Sequence, residues 1–439
     1  MPRLTFPVKL AVVGALALGV RVVAVVTHYR YLPLGLDDNN WYHTQANLLA
    51  DHGGIFEPFV WRDTGDLIAS AGHPPGYAAY LSLWSLVGLD SPVAHRLASS
   101  VAGALGVIAI ALLARKVAVL AGWSGPRTER AAVVAGVVAA IYPALWINDG
   151  LILAESPYVA VFALSLLSAL RLWEAPSVRR AAELGAIVAV ATLVRTEALT
   201  LSLFLIIPLV LVLRDADWRR RLGLLLVAGA TMVVILAPWV GRNLATFDEP
   251  VVIASGTGRV LAYGNCERTY TGQFLGYWHG SCTLAEFPEG DESIIDTAHR
   301  AKATAFIEDN LDRTPVVVAA RVGRMWGAYR PGQGVNFDIL FERRGVWPSR
   351  FGAAGFYLLL PVAVGGLVTV RRARVTLVPF LGPVVMVTWT AAITFGVTRY
   401  RVAAEVVLVV LAAVALEVVL QRHRPLADDE PAAVTEVSS

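Results

Sequence analysis

The 439-residue sequence has little cysteine and lacks the common motifs of metal and nucleotide sites. Its two cysteines, Cys266 and Cys282, are too few for a disulfide scaffold or a zinc ribbon, and the histidines and cysteines show no metal-binding spacing. The sequence contains no P-loop and no G-x-G-x-x-G motif after a strand, so no nucleotide site is visible. The formal net charge is only +3, and composition therefore gives no argument for a nucleic-acid partner.

Apolar residues are abundant instead, at 56% of the chain with a mean hydropathy of +0.59. A soluble globular chain has roughly 45–50% apolar residues. Apolar runs of about 17–25 residues recur along the chain, and each is long enough to cross a bilayer as a helix. The runs are continuous rather than alternating, which rules out the strands of a membrane barrel. The sequence therefore predicts an all-α polytopic membrane protein.

About ten segments fit such crossings. Arginines follow every second one, so every second loop is basic and, by the positive-inside rule, cytoplasmic. Both chain ends then lie on the cytoplasmic side. The first segment follows Arg3 and Lys9, has no small-residue cleavage site and is predicted to be retained as a helix. The ten segments are approximately residues 8–28, 92–114, 131–147, 152–172, 181–196, 198–213, 222–240, 353–370, 375–395 and 402–420.

The same alternation assigns two long segments, about 29–91 and 241–351, to the outer face. Within the second, residues 315–329 are apolar but are interrupted by Arg321 and Arg324. If this stretch crossed the membrane, the next basic loop would fall on the outer side. We therefore predict an amphipathic helix that lies on the outer surface.

Two adjacent carboxylates, Asp37 and Asp38, open the first outer segment directly after the first crossing. A carboxylate near the membrane edge can accept a proton from a hydroxyl group, which suits a general base. Either aspartate could instead cap a helix that runs to about residue 50. The two roles are compatible, and the sequence does not choose between the two residues.

Other candidates lie near the predicted outer ends of the crossings. Glu155 is close to the start of the fourth crossing, where an ionisable residue is a functional candidate and a structural ion pair is the alternative. Asp149 lies in the short loop before it. Arg195, at the end of the fifth crossing, could pair with Glu197 or line the same cavity. His73, which precedes two prolines, could bind a phosphate or carboxylate, or cap a helix.

Three arginines, Arg242, Arg399 and Arg401, collect at the same outer boundary. An arginine there can bind a lipid phosphate through two hydrogen bonds. The alternative is that each side chain reaches up to the lipid head groups without a specific ligand.

Cys266 and Cys282 both lie in the second outer segment. A disulfide is permitted outside the cytoplasm, and it is the expected state, with two free thiols as the alternative. The bridge would close the loop 267–281, which is rich in aromatic residues. These suit stacking on a sugar and packing on the membrane equally well.

The order of these motifs resembles the GT-C glycosyltransferases. The acidic pair after the first crossing is followed by His73-Pro74-Pro75-Gly76-Tyr77 and then by Glu155 at the start of the fourth crossing. The resemblance is closest to the bacterial relatives of protein O-mannosyltransferases and of the lipid A aminoarabinose transferase. Two later stretches, 242–265 and Arg399-Tyr400-Arg401, are similar to the bacterial branch. The resemblance covers about residues 10–420.

This resemblance implies an enzyme that transfers a sugar from a polyprenyl-phosphate donor to an acceptor on the outer face, with inversion. Asp37 or Asp38 would be the general base, although the family pattern reads Asp-Glu. Glu155 and Asp149 would supply the second acidic position, which orients the acceptor or binds a divalent metal. Arginines would stabilise the departing lipid phosphate. The residues expected to bind the donor phosphate or lipid are His73, Arg195, Arg242, Arg399 and Arg401.

The expected architecture is a GT-C-like membrane protein of the plasma membrane, with the active site facing outward. Its partners would be a lipid-linked sugar donor, membrane lipids and a glycan, lipid or protein acceptor of the cell envelope. A multi-pass transporter or flippase is the alternative, although the charges gather at one end and no internal repeat is evident. The predicted units are a catalytic module at 1–240, an outward segment at 241–351, membrane helices at 352–421 and a cytoplasmic tail at 422–439.

Overall fold

The computed structural model describes residues 4–35, 37–214, 216–284 and 288–423. These residues form nineteen α-helices and no extended sheet. In chain order the helices are α1 (Phe6–Ala24), α2 (Asp38–His52), α3 (Pro58–Thr64), α4 (Gly76–Ser85), α5 (Pro92–Leu120), α6 (Gly125–Ile141), α7 (Pro143–Gly150), α8 (Glu155–Glu174), α9 (Val178–Val194), α10 (Ile207–Leu211), α11 (Trp218–Thr246), α12 (Thr257–Gly264), α13 (Glu267–Tyr270), α14 (Glu292–Asp309), α15 (Thr314–Met325), α16 (Pro331–Leu340), α17 (Val346–Arg372), α18 (Val378–Ile393) and α19 (Val402–His423).

Six helices of the described part of the chain are long and apolar enough to cross a membrane. They are Phe6–Tyr29, Pro92–Leu120, Glu155–Glu174, Trp218–Thr246, Val346–Arg372 and Thr398–His423. The pair α6 and α7, which is bent by 49°, would make a seventh if it forms one span. The all-α polytopic class predicted from the sequence is thus confirmed.

Three of the ten predicted crossings correspond to shorter helices. They are α9, with 17 residues, α18, with 16 residues, and the apolar stretch Thr196–Leu211. That stretch is irregular, since a 3-10 turn at Thr196–Thr200 and a π-helical turn at Ser202–Ile206 precede α10. By length and composition the structure therefore supports six or seven crossings, and the count of ten is not reached on that criterion.

Small residues let the membrane helices approach closely. α17 packs on α19 where Gly366 faces the Leu411 carbonyl, and α9 packs on α11 where Gly185 faces the Ala228 carbonyl. Close backbone approach at glycine is a common way to join helices within a bilayer. α5, α8 and α19 lie mostly buried at the centre of the bundle, whereas α1, α11 and α17 lie at its periphery.

Ion pairs tie together one end of this bundle. They join the start of α1 to the start of α6, the end of α5 to the end of α8, and the start of α6 to the end of α19. The pairs are Lys9–Glu129 at 2.7 Å, Lys116–Glu174 at 2.6 Å and Arg130–Glu417 at 2.6 Å. This end carries the loops that the sequence predicts to be cytoplasmic.

The two long segments predicted to face outward meet each other at the opposite end. The Ser255 amide donates to the Ala71 carbonyl at 2.9 Å, and the Ser70 hydroxyl donates to a Glu292 carboxylate oxygen at 2.8 Å. Arg242, near the end of α11, donates to the Ser70 carbonyl at 2.9 Å. Residues far apart in sequence are thereby held in one layer above the membrane helices.

The apolar stretch 315–329 forms α15, a helix of only 12 residues. At about 1.5 Å per residue it reaches roughly 18 Å, which is too short to cross a bilayer. Its two arginines are buried: Arg321 donates to the Gly264 carbonyl at 2.7 Å and Arg324 donates to the Leu275 carbonyl at 2.6 Å. The two arginines thus join α15 to the preceding part of the second outer segment.

The glycine contact between α17 and α19 gives a stability prediction. A Cβ at residue 366 would lie 1.9 Å from the Leu411 carbonyl oxygen, so Gly366→Ala should lower stability by about 1–3 kcal/mol through overpacking. The matched control is Gly365→Ala, whose new Cβ would meet only the Ala415 methyl at 3.7 Å. Thermal unfolding of the two purified variants in detergent measures the difference. Equal melting temperatures would contradict this packing.

Candidate active site

The site is built around Arg399, which lies in the short 3-10 turn Thr398–Arg401 at the start of α19. Its Nε is paired with Glu155, and its Nη2 lies 2.7 Å from Asp38 Oδ2. Its Nη1 lies 4.0 Å from Glu342 Oε2. One guanidinium therefore faces three carboxylates that come from three distant parts of the chain.

Glu155 is the buried acid of this arrangement. It is the first residue of α8 and is fully buried. Both Arg399 and Arg195 pair with its carboxylate, and Arg195 also pairs with Glu197. A buried carboxylate is stable only when such partners compensate for its lost hydration. The sequence-predicted residues Glu155, Arg195 and Arg399 are thus brought together in one network.

Asp38 occupies the exposed side of the network. It begins α2, and its carboxylate lies 3.5 Å from His73 Nε2, with the side chain 32% exposed. Rings of Trp41 and Tyr42 hold the His73 ring, with centroids 4.7 Å and 4.9 Å away. Burial alone would raise the pKa of Asp38, but Arg399 and His73 outweigh it and hold that pKa well below its usual range. The carboxylate is therefore ionised at neutral pH.

Asp37 has different surroundings from its neighbour. It precedes the first turn of α2, but its side chain makes no capping hydrogen bond and is exposed. Partial desolvation and the neighbouring Asp38 charge raise its pKa, opposed by Arg343 and Arg399. The structure thus separates the two predicted acids: Asp38 contacts the arginine network directly, and Asp37 lies at its edge.

Arg399 also lines a cleft between α7, α16, α17 and the start of α19. Three further arginines, Arg324, Arg344 and Arg401, contribute to its lining. One wall is apolar and comes from the membrane helix α17. The cleft therefore combines four arginines and two acids, Asp338 and Glu405, with the apolar face of a membrane helix.

Three polar donors in this cleft have no hydrogen-bond partner within the described part of the chain. They are Arg324 Nη1, Arg344 Nε and Ser349 Oγ, and all three atoms are buried. Buried donors without a partner are costly, and these three line the same cleft. Two of the three belong to arginines, so an anion with several acceptor oxygens would suit the set.

Arg401, the fourth arginine of the cleft, is already neutralised. Its Nε lies 2.5 Å from Glu405, and its guanidinium stacks 3.6 Å from the Phe356 ring centroid. Tyr142 donates to the other Glu405 oxygen at 2.7 Å. Arg401 thus shapes the cleft more than it supplies free charge.

Two other sequence-predicted residues lie away from this network. Asp149 is buried and pairs with Arg21 at 2.7 Å, beside Gly103, where any side chain would collide with the pair. Arg242 donates to the carbonyls of Ile55 and Ser70. Their contacts join helices and loops, so both residues act in this structure as internal supports.

The predicted cysteine pair is bonded in the structure, with Cα atoms of Cys266 and Cys282 5.6 Å apart. The bridge closes the loop that carries Trp278, whose Nε1 donates to Glu342 Oε1 at 3.1 Å. Sequence reasoning missed Glu342, which lies two residues before Arg344 in the segment between α16 and α17. Three adjacent charges at 342–344, close to a predicted crossing, were the available signal.

Among the described residues, no group of three or more His, Cys, Asp or Glu side chains is arranged to hold a metal ion. The acids of the network contact arginines instead. The expectation of a divalent metal therefore gains no geometric support from these residues.

No protein-family model and no curated protein matches the chain. Among solved structures, the Archaeoglobus fulgidus oligosaccharyltransferase tethered to an acceptor peptide containing the NVT sequon is similar at a TM-score of 0.52 and 15% identity, covering 95% of this chain and 50% of that chain. The structure of the same enzyme in complex with Zn and sulfate is similar at a TM-score of 0.51 and 14% identity, and the match covers 94% of this chain and 49% of that chain. The chain shares the overall fold of this oligosaccharyltransferase. It spans about half the length of the oligosaccharyltransferase it matches.

A second similar protein is ArnT from Cupriavidus metallidurans bound to undecaprenyl phosphate, at 14% identity over 94% of this chain and 77% of that chain. Its TM-score of 0.38 is too low to establish a shared fold. The GT-C resemblance predicted from the sequence motifs is confirmed for the fold by the oligosaccharyltransferase structures.

The contacts of Asp149 predict a structural role for this residue. Asp149→Asn leaves the buried Arg21 guanidinium without a counter-charge, and the loss of stability should be about 3–5 kcal/mol. The partly exposed pair Lys9–Glu129 is the control, since Glu129→Gln should cost at most about 1 kcal/mol. Thermal unfolding of both variants tests the contrast. A stable Asp149→Asn protein would mean that Asp149 is not needed to hold Arg21.

Proposed function

We propose that the chain is a glycosyltransferase that moves a sugar from a polyprenyl-phosphate donor to a cell-envelope acceptor, with inversion and with Asp38 as general base. The observation that carries the proposal is the position of Arg399. It pairs with the partly exposed carboxylate Asp38 and also lines the cleft with three unpartnered donors. A basic group for the acceptor and an anion site for the leaving group are thereby adjacent.

Geometry favours Asp38 over Asp37 as the base. Asp38 is ionised, partly exposed and fixed by Arg399 and His73, so one carboxylate face can receive a proton from a bound hydroxyl. Asp37 lacks a contact of this kind with His73. Position relative to the reacting groups is the first requirement for a general base, and the pKa comes second.

The cleft is suited to the phosphate of a lipid-linked donor. Arg324 Nη1, Arg344 Nε and Ser349 Oγ would supply hydrogen bonds to phosphate oxygens, and the α17 wall would contact the first part of the lipid chain. Several acceptor oxygens on one phosphate match several fixed donors. Donors that are already in position stabilise the negative charge that develops on a departing phosphate.

Glu155 and Arg195 would act through Arg399. Their ion pairs fix the guanidinium before any substrate binds. They are positioning residues in this mechanism, because preorganised charges stabilise a transition state without the cost of reorientation.

In the proposed step the acceptor hydroxyl gives its proton to the Asp38 carboxylate while its oxygen forms a bond to the anomeric carbon. The bond from that carbon to the phosphate oxygen breaks on the opposite face. The polyprenyl phosphate leaves with the bonding electron pair, and its negative charge lies near the cleft donors. Attack opposite the leaving group inverts the anomeric centre.

The similar structures support this class of reaction by their own names, since the Archaeoglobus protein is an oligosaccharyltransferase whose structure contains an acceptor peptide. The positive-inside pattern supports an outward-facing site in the plasma membrane, with cytoplasmic chain ends. The transporter alternative is less favoured, because the charged network lies at one end of the helices and transport sites typically lie near the midplane.

The base assignment predicts unequal effects of two neighbouring substitutions. Asp38→Asn should lower sugar transfer by about 10²–10⁴-fold, because it removes the proton acceptor. Asp37→Asn should retain transfer to within about tenfold, because Asp37 lies outside the Arg399 contacts. The measurement is the rate of transfer from labelled polyprenyl-phosphate sugars to a cell-envelope extract by the full-length protein in nanodiscs.

Matched thermal stability of both variants serves as the control for folding. Transfer that survives Asp38→Asn at the wild-type rate would rule out this mechanism. Loss of transfer in Asp37→Asn alone would identify Asp37 as the general base.

A further inference from the structure

Glu342 is a carboxylate beside the active site that the proposed mechanism leaves unused. It follows α16, and its side chain is 11% exposed. Its Oε1 accepts the Trp278 Nε1 hydrogen at 3.1 Å. Its Oε2 lies 4.0 Å from Arg399 Nη1, which is too long for a direct hydrogen bond. The indole thus fixes one oxygen and leaves the other directed towards Arg399 but not bonded to it.

The atoms on both sides of this 4.0 Å gap are available to a ligand. Neither Glu342 Oε2 nor Arg399 Nη1 makes a hydrogen bond within the described ranges, and neither is among the buried atoms without a partner. A hydroxyl oxygen about 2.8 Å from each atom would subtend an angle of about 90°, within reach of hydroxyl geometry. The hydroxyl would accept from the guanidinium and donate to the carboxylate, which uses both of its hydrogen-bonding functions.

The gap is adjacent to the proposed base. Arg399 Nη2 holds Asp38 at 2.7 Å, while the neighbouring Nη1 faces Glu342. The two nitrogens belong to one planar group, so the two carboxylates flank neighbouring positions. A substrate with hydroxyls on adjacent carbons can occupy both positions at once, whereas a simple alcohol can occupy only one.

An aromatic surface borders the same carboxylate. The Trp278 ring lies 5.9 Å from Tyr263 and 6.1 Å from Phe341, measured between ring centroids. Phe341 is 42% exposed although it is a large apolar residue. Aromatic rings beside a carboxylate offer an apolar face and a polar group together, which is the combination that the C–H face and hydroxyls of a sugar ring require.

Burial raises the pKa of Glu342, an effect that Arg399 and Arg344 oppose. The carboxylate is thus incompletely compensated in the free protein. A hydrogen bond donated by a ligand would stabilise its ionised form.

We propose that Glu342 and Arg399 Nη1 together bind one hydroxyl group of a carbohydrate, next to the position that faces Asp38, with Trp278 and Phe341 as the apolar side of this subsite. This assignment rests on the proposed glycosyltransferase function. It makes Glu342 a specificity-determining residue that selects substrates with neighbouring hydroxyls. A structural ion pair between Glu342 and Arg399 alone would predict no dependence on ligand hydroxyls.

The test measures binding of free methyl glycosides, so it does not depend on transfer. Saturation-transfer NMR on the full chain in nanodiscs would compare a panel of methyl hexosides and pentosides with their monodeoxy analogues. One deoxy analogue should bind the wild type about tenfold more weakly than its parent, because a hydrogen bond to charged groups is lost. Glu342→Gln should weaken binding of the parent glycoside by a similar factor, and this variant should bind the parent and that deoxy analogue with equal affinity.

Two other variants complete the design. Glu267→Gln, an exposed acid in the same disulfide loop, should bind as the wild type does. Trp278→Phe keeps an aromatic ring but removes the donor to Glu342 Oε1, so this variant should also bind the parent glycoside more weakly. Equal thermal stability of all variants excludes misfolding as the cause.

Two results would overturn the subsite. Either no glycoside of the panel binds the wild type, or removal of the hydroxyl lowers the affinity of Glu342→Gln for the glycoside as much as it lowers the affinity of the wild type. Glycoside binding that follows the expected pattern in a protein without transfer activity would instead reject the proposed function and leave the sugar subsite standing.

Discussion

The ion pairs of Arg399 are the interaction on which the rest of the site depends. Its guanidinium joins the buried Glu155 to the partly exposed Asp38 and lines the cleft. A buried charge is stable only while its partners remain, and removal of one partner typically costs about 3–5 kcal/mol. The network therefore fixes the geometry of the proposed base before substrate arrives. The cost of assembling charges is met during folding and not during the reaction.

The helical bundle provides the frame for this network. Glu155 begins α8, Arg399 precedes α19 and Arg195 ends α9, so helix termini bring their charges to one end of the molecule. The outer segments then add Asp38 from above and Glu342 from the side. The opposite end holds its own set of ion pairs, which match the loops predicted to be cytoplasmic. The proposed site therefore lies at the end of the bundle opposite the loops predicted to be cytoplasmic.

The helical class and the shared location of the charged residues could be predicted, because hydropathy marks membrane helices and the basic loops mark one side of the membrane. The alternation of basic loops by itself placed Asp38, Glu155 and Arg399 on the same predicted face. The structural roles of Asp149 and Arg242 could not be predicted, since their partners lie over 120 residues away and follow from packing. The length criterion gives six or seven crossings and not ten, because α9, α18 and the irregular stretch Thr196–Leu211 are short. The cleft was missed because its donors Arg324, Arg344 and Ser349 come from segments with no motif.

The most direct test of this account is a structure of the protein in nanodiscs with polyprenyl phosphate bound. The account predicts that the phosphate lies in the cleft and takes hydrogen bonds from Arg324 Nη1, Arg344 Nε and Ser349 Oγ, with Arg399 still paired to Asp38. A phosphate bound elsewhere, with those three donors still without a partner, would contradict it.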